Sequence, residues 1–169
     1  MSVFAGLFVM FFGSMALADD CSQVVSDKTL PTGERQFQGS LFTDDGNYTA
    51  VGLLLDQGQP ALQAMFVQTG QVMTHLPAGT KLTASLQDGT QLTLVTTASA
   101  PAVASPSAAI GVYTQWKVQA LLSTDDLVRL RNSPLLGLQV DFLGRQLGIA
   151  LEKKQYVKQW ATLTQCFVP

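Results

Sequence analysis

The sequence is short of the residues on which most site chemistry depends. Its 169 residues include one histidine, two cysteines and only two glutamates, Glu34 and Glu152. Metal sites built from imidazole and thiolate need three or four such ligands, so these classes are excluded. Charge is scarce as well: 13% of side chains are charged, 10 basic against 12 acidic, for a net charge of −2. The basic residues are scattered from Lys28 to Lys158, without the clustered face that nucleic-acid binders use, and no nucleic-acid partner is expected. Neither a G-x-x-x-x-G-K phosphate loop nor a G-x-G-x-x-G fingerprint occurs, so no cofactor is expected either.

The remaining routes to catalysis are narrow. A Ser-His-Asp or Cys-His site would have to use His75, which lies between Thr74 and Leu76 at the edge of a turn, and no G-x-S-x-G elbow accompanies it. His75 is read as a solvated or hydrogen-bonded side chain, and no catalytic residue is assigned. The pair Asp125-Asp126 suits a helix start better than glycoside chemistry. Asp44-Asp45-Gly46-Asn47 lacks the alternating ligands and distant Glu of a calcium loop and reads as a turn. Asn47-Tyr48-Thr49 matches the N-glycosylation pattern, which matters only in a eukaryotic secretory host.

What the chain does have begins at its amino terminus. Residues Met1 to Ala18 carry no charged side chain, and 14 of these 18 are hydrophobic. The apolar run Val3 to Phe12 has the length of a signal-peptide core, and Ala16-Leu17-Ala18 supplies a small-x-small cleavage site. Gly13 and Ser14 cut the run short of the roughly 20 residues a spanning helix needs. Residues 1–18 are therefore read as a cleaved signal peptide and 19–169 as a single β-rich domain, exported to the periplasm or the extracellular space. No later stretch reaches membrane-span length, since Asp56 interrupts Val51 to Leu55.

Most of the mature chain reads as short strands between turn residues. Turns are expected at Asp44 to Asn47, at Asp56 to Pro60 and at Leu76 to Gly79. One hairpin can be derived in register. A two-residue loop at Asp88-Gly89 would mix apolar and polar residues on both faces. A three-residue loop, Gln87-Asp88-Gly89 with Gly89 left-handed, sets Leu82 opposite Leu94, Ala84 opposite Leu92 and Leu86 opposite Thr90. One face then becomes apolar. Residues 97–109 contain Ala, Ser, Thr, Pro and few other types, with no charge or aromatic, and are read as a long mobile loop.

Trp116, Val118, Ala120 and Leu122 share one strand face. Ser123 and Asp126 then form a capping box that opens a short helix near 123–132, with Leu127 and Leu130 facing inward. A hairpin around Gly144 follows. Tyr156, Trp160, Leu163 and Phe167 recur at i, i+4, i+7 and i+11, which predicts a terminal helix near 153–167. The expected fold is mainly β (α+β), an antiparallel sandwich-like domain with a helix closing one end.

The two cysteines are Cys21, just beyond the cleavage site, and Cys166 in the last helix. Export allows disulfides to persist, two is the smallest even number, and the termini of a domain are often close, so a Cys21–Cys166 bridge is expected.

The last third, from Trp116–Leu122 through Ser123-Thr124-Asp125-Asp126-Leu127-x-x-Leu130 to a lysine-bearing helix ending at Cys166, resembles small, uncharacterised exported β-rich proteins of Bacteroidetes-type bacteria. The resemblance implies a bacterial envelope or secreted protein and supplies no catalytic residues. The expectation for function is a non-catalytic accessory or binding domain with a protein partner in the envelope or outside the cell. A carrier of a small apolar ligand, lined by Leu53 to Leu55 and Leu135-Leu136, is the alternative. A hydrolase using His75 is a third reading.

Overall fold

The structure is a computed structural model and describes residues 25–29, 35–42, 49–56, 59–108 and 111–167. The proposed signal segment 1–18 and Cys21 lie outside the described residues, as does the turn at Asp44 to Asn47.

The described residues form two antiparallel sheets. In chain order the strands are β1 (Val25–Thr29), β2 (Arg35–Phe42), β3 (Ala50–Asp56), β4 (Gln59–Thr69), β5 (Lys81–Leu86), β6 (Gln91–Val95), β7 (Val103–Ser107), β8 (Gly111–Leu121), β9 (Leu135–Phe142) and β10 (Arg145–Ala150). Helix α1 spans Thr124–Asn132 and α2 spans Lys154–Phe167. One sheet has six strands in the order β1-β2-β3-β4-β8-β7, and the other has four in the order β10-β9-β5-β6. This is the sandwich-like α+β class that the sequence led us to expect, and both helices start and end within a residue of the expected bounds.

Period-two alternation builds the space between the sheets. Leu82, Ala84 and Leu86 of β5, Leu92 and Leu94 of β6, and Leu138 and Val140 of β9 are all buried. Facing them from the six-stranded sheet are Val51, Leu53, Leu62, Ala64, Phe66, Trp116, Val118 and Ala120, in the same continuous cluster. Trp116 and Phe142 link the two layers edge to face, with ring centroids 5.5 Å apart. Helix α2 packs against β2, β3 and β9. Its Tyr156, Trp160, Leu163 and Phe167 complete the core.

Along one side the two sheets are joined through the backbone. Thr96, just past β6, bridges to Ala120 of β8, and the Thr97 N–H donates to the Gln119 carbonyl at 2.9 Å. Thr96 is buried there; its Oγ1 accepts from the Thr80 N–H at 3.0 Å and donates to the Pro77 carbonyl at 3.1 Å. A hydroxyl that both accepts and donates satisfies a corner where the ladder changes sheets.

The hairpin register at 82–94 matches the derived one throughout: Leu82 pairs with Leu94 and Ala84 with Leu92. The Leu86 N–H donates to the Thr90 carbonyl at 2.9 Å, and Gly89 has φ +82°. The capping box is present too, with Ser123 Oγ accepting from the Asp126 N–H at 3.1 Å and the Asp126 carboxylate accepting from the Ser123 N–H at 3.0 Å.

Two expectations need correction. Residues 97–109 are not a structureless loop: Ala100 is buried and bridges to Leu76, and 103–107 form β7, paired with β8 from Val103↔Gln115 to Ser107↔Gly111. Low hydrophobicity concealed this strand because it is an edge strand, paired on one side only. Pro106 has no N–H to offer and is tolerated at such an edge, where it discourages further strand pairing. Pro60 likewise does not belong to a turn; it pairs with Leu55 inside β4.

Candidate functional site

The outward face of the smaller sheet carries a recess of about 340 Å³. It follows from side-chain size. Facing outward, Ser85 of β5 pairs with Gly137 of β9, and Gly137 pairs with Ala150 of β10, so a row of small residues crosses three strands. Gln139, opposite Gly148 on the next row, forms one wall, while Leu136, Thr49 and Glu152 complete the rim. A side chain could not easily be added at the floor: a Cβ on Gly137 would lie 3.2 Å from the Ile149 carbonyl oxygen. The side chains that line it supply an amide, two hydroxyls, a carboxylate and small apolar surfaces. These can hydrogen-bond to a ligand and make apolar contact with it.

A second, smaller depression of about 260 Å³ lies at the joined side of the sandwich, lined by Gln63, Thr97 to Ser99 and Lys117 to Gln119.

The residues singled out from the sequence are dispersed. His75 is exposed in the segment between β4 and β5, while its neighbour Leu76 is buried. Among the described residues no three of His, Cys, Asp and Glu come together as metal ligands. Asp125 and Asp126 sit in the first turn of α1, and Asp126 is taken up by the capping box. Cys166 is half-buried near the end of α2, packed against the core, and no free cysteine thiol occurs among the described residues. Its expected partner, Cys21, lies outside them, as do residues 1–18 of the export signal. Leu53 and Leu135, suggested as the lining of an apolar ligand cavity, belong to the same packed cluster as Trp160 and Leu163 of α2, which is the use of a filled core.

The most developed polar network supports the β5–β6 turn. Asp88 Oδ1 accepts from the Thr90 hydroxyl at 2.7 Å and from the Thr90 N–H at 2.9 Å. The Asp88 N–H donates to Ser133 Oγ at 2.9 Å, and the Gln87 N–H donates to the Pro134 carbonyl at 2.9 Å, tying the turn to the end of α1. Arg129 of that helix donates to the Gln91 carbonyl at 3.2 Å. The two Thr90 hydrogen bonds, with smaller contributions from Ser133 and Arg129, hold the Asp88 carboxyl below its ordinary value of 3.8. These bonds fix the turn against the end of α1.

No helix among the described residues is long and apolar enough to cross a membrane. Comparison with protein-family models, with curated proteins and with solved structures finds no match.

The recess was missed in the sequence, although a signal was there. Glycines inside strands often mark places where a ligand or another backbone comes close, and Gly137 and Gly148 are such glycines.

Proposed function

We propose that the protein is an exported, non-catalytic binding domain of the bacterial envelope or extracellular space, which recognises a protein component there through the outward face of β5, β9 and β10. The observation that carries this reading is the recess at Ser85, Gly137, Gly148 and Ala150, a concave surface with hydrogen-bonding groups at its rim and small residues on its floor. The apolar run Val3 to Phe12 and the Ala16-x-Ala18 site support export. Cys166, at the end of the last helix, is proposed to bond with Cys21 and fasten both ends of the exported chain.

The test is photo-crosslinking in producing cells from a reactive amino acid placed at Gln139 or Gly148, with exposed Val128 on α1 as control. Crosslinks to one envelope or secreted protein from the first two positions, and none from the third, support the reading. Equal crosslinking from all three, or none from the recess, overturns it. Amino-terminal sequencing of the same exported material should begin Asp-Asp-Cys; retention of Phe11 and Phe12 would overturn the cleavage.

A further inference from the structure

The four-stranded sheet ends at β10, and that edge is open. The Leu151 N–H donates to the Leu136 carbonyl at 2.7 Å, continuing the register that runs from Arg145↔Phe142 to Ala150↔Gly137. Bonded and unbonded pairs alternate along an antiparallel ladder, so Arg145, Leu147, Ile149 and Leu151 bond to β9. Gln146, Gly148 and Ala150 therefore turn their N–H and C=O groups away from the sheet. All three residues are exposed, and no hydrogen bond joins these outward groups to another described residue.

The other sheet edges among the described residues each carry a device against further pairing. β7 has Pro106, and β1 has Asp27 and Lys28 in its middle. In β6 the Gln91 carbonyl is taken by Arg129, and beyond Val95 the chain passes onto β8 at the Thr96–Ala120 bridge. From Gln146 to Ala150, β10 has no charge, no proline and no bulge. Open main-chain groups at strand spacing are a template for one further strand.

The order of residues in β10 indicates which strand. Read antiparallel against itself, with a two-fold axis at Gly148, β10 is self-complementary. Gly148 meets Gly148, Gln146 meets Ala150 and Leu147 meets Ile149 of the second copy, and every outward N–H and C=O finds a partner. An axis at Leu147 or Ile149 would set one of the three open residues opposite Gly144 or Glu152, outside the strand. At Gly148 neither copy brings a side chain to the axis. Leu147 and Ile149, 8% and 3% exposed, face the inner layer and would extend it across the junction. Arg145, the sole charge in β10, falls opposite Leu151, so no like charges meet.

We propose that β10 pairs antiparallel with β10 of a second copy, joining two four-stranded sheets into one continuous sheet. Opposite residues share a face, so Gln146 of the second copy stands beside Ala150 and brings an amide to the margin of each recess. The pairing does not depend on the envelope reading. Gln139 stands on β9, back from the edge, so its crosslinks test that reading whatever Gly148 meets.

The experiment takes the exported protein and its variants through two measurements. Sedimentation velocity over a roughly hundredfold range of concentration should show a monomer passing to a dimer, because two short edges make a small, reversible interface. Gly148→Lys sets two ammonium groups against each other at the axis. A Cβ there meets its nearest neighbours at 3.8 Å, an ordinary contact, so the fold is kept. This variant should move the transition at least about tenfold higher in concentration. Disulfide trapping reads the register independently. Gly148→Cys should crosslink to itself, since the Cα atoms of a bonded pair lie about 5.5 Å apart. Gln146→Cys and Ala150→Cys should crosslink efficiently only when the two proteins are mixed. Val128→Cys, exposed on α1, gives the background. A protein monomeric throughout, a dimer indifferent to Gly148→Lys, or a Gly148→Cys crosslink no stronger than that at Val128 would each overturn the proposal. So would Gln146→Cys crosslinking to itself as readily as to Ala150→Cys.

Discussion

The smaller sheet contains two hairpins that solve the same problem in opposite ways. Between β5 and β6 the left-handed position is occupied by Gly89, and Asp88, Thr90, Ser133 and Arg129 surround the turn with hydrogen bonds. Between β9 and β10 both loop residues are left-handed, Leu143 at φ 53° and Gly144 at φ 70°, and the first of them is an exposed leucine. Both turns pair their strands in good register, so the contrast is not one of success and failure. A turn whose side chains agree with its backbone is optimised for the fold. A turn that keeps an ill-suited residue at its most exposed point forgoes stability that Asn or Gly would supply there.

The contrast breaks most visibly at the glycines. No heavy atom lies within 4 Å of a Cβ built on Gly89 or Gly144, so the cost of a side chain there is backbone strain alone. Gly89→Val and Gly144→Val should each destabilise by about 1–2 kcal/mol in urea unfolding, with Gly89→Asn clearly milder. Equal stability of the Gly89 variants and the parent would mean that this turn is drawn wrongly. Next in size, Leu143→Asn should stabilise by about 0.5–1 kcal/mol, because it relieves strain without removing a packed side chain. A loss of stability would show that Leu143 is held by the fold after all.

The smallest effect belongs to Asp88 and depends on pH. Its carboxyl titrates below the ordinary value of 3.8 in the folded protein, so it binds a proton less readily there than in the unfolded chain. The stabilisation is complete above the unfolded value and is lost as pH falls through the folded one. The stability gap between the parent and Asp88→Ala should therefore hold near neutral pH and close in acid below pH 3.8. A gap that stays constant into acid would contradict the Thr90 hydrogen bonds as its source.

Where the sequence was legible, two levels of information agreed. In β5 and β6 the alternation of Leu and Ala with Thr, Ser and Gln admits one loop length, and the observed register follows. In α1 the capping box of Ser123 and Asp126 and the i, i+3 spacing of Leu127 and Leu130 act together. Where only one level spoke, the reading failed. The residues of β7, Val-Ala-Ser-Pro-Ser, have neither alternation nor bulk, and only pairing with β8 makes them a strand. Only the strand glycines hinted at the recess, because it is made by what Ser85, Gly137, Gly148 and Ala150 lack, and their adjacency arises from register across three strands. The left-handed Leu143 could not be read at all, since a hairpin around Gly144 specifies the turn without specifying which exposed residue shares it.

The pairing of β4 with β8 carries a consequence for how the chain must assemble. Ala61 lies opposite Leu121 and Thr69 opposite Tyr113, so the whole of β5, β6 and β7 is strung between the two partners. The hairpins that meet through short turns can zip on the microsecond scale, about 1–10 μs for an isolated one. The central ladder of the larger sheet has to close a long loop first, at an entropic cost that nothing repays until both strands are in place. Until then β4 and β8, each paired on one side by its hairpin neighbour, present an open edge to the other. The slowest pairing is thus the arrival of β8 beside β4, whereas β7 can join β8 early through the short connection between Ser107 and Gly111.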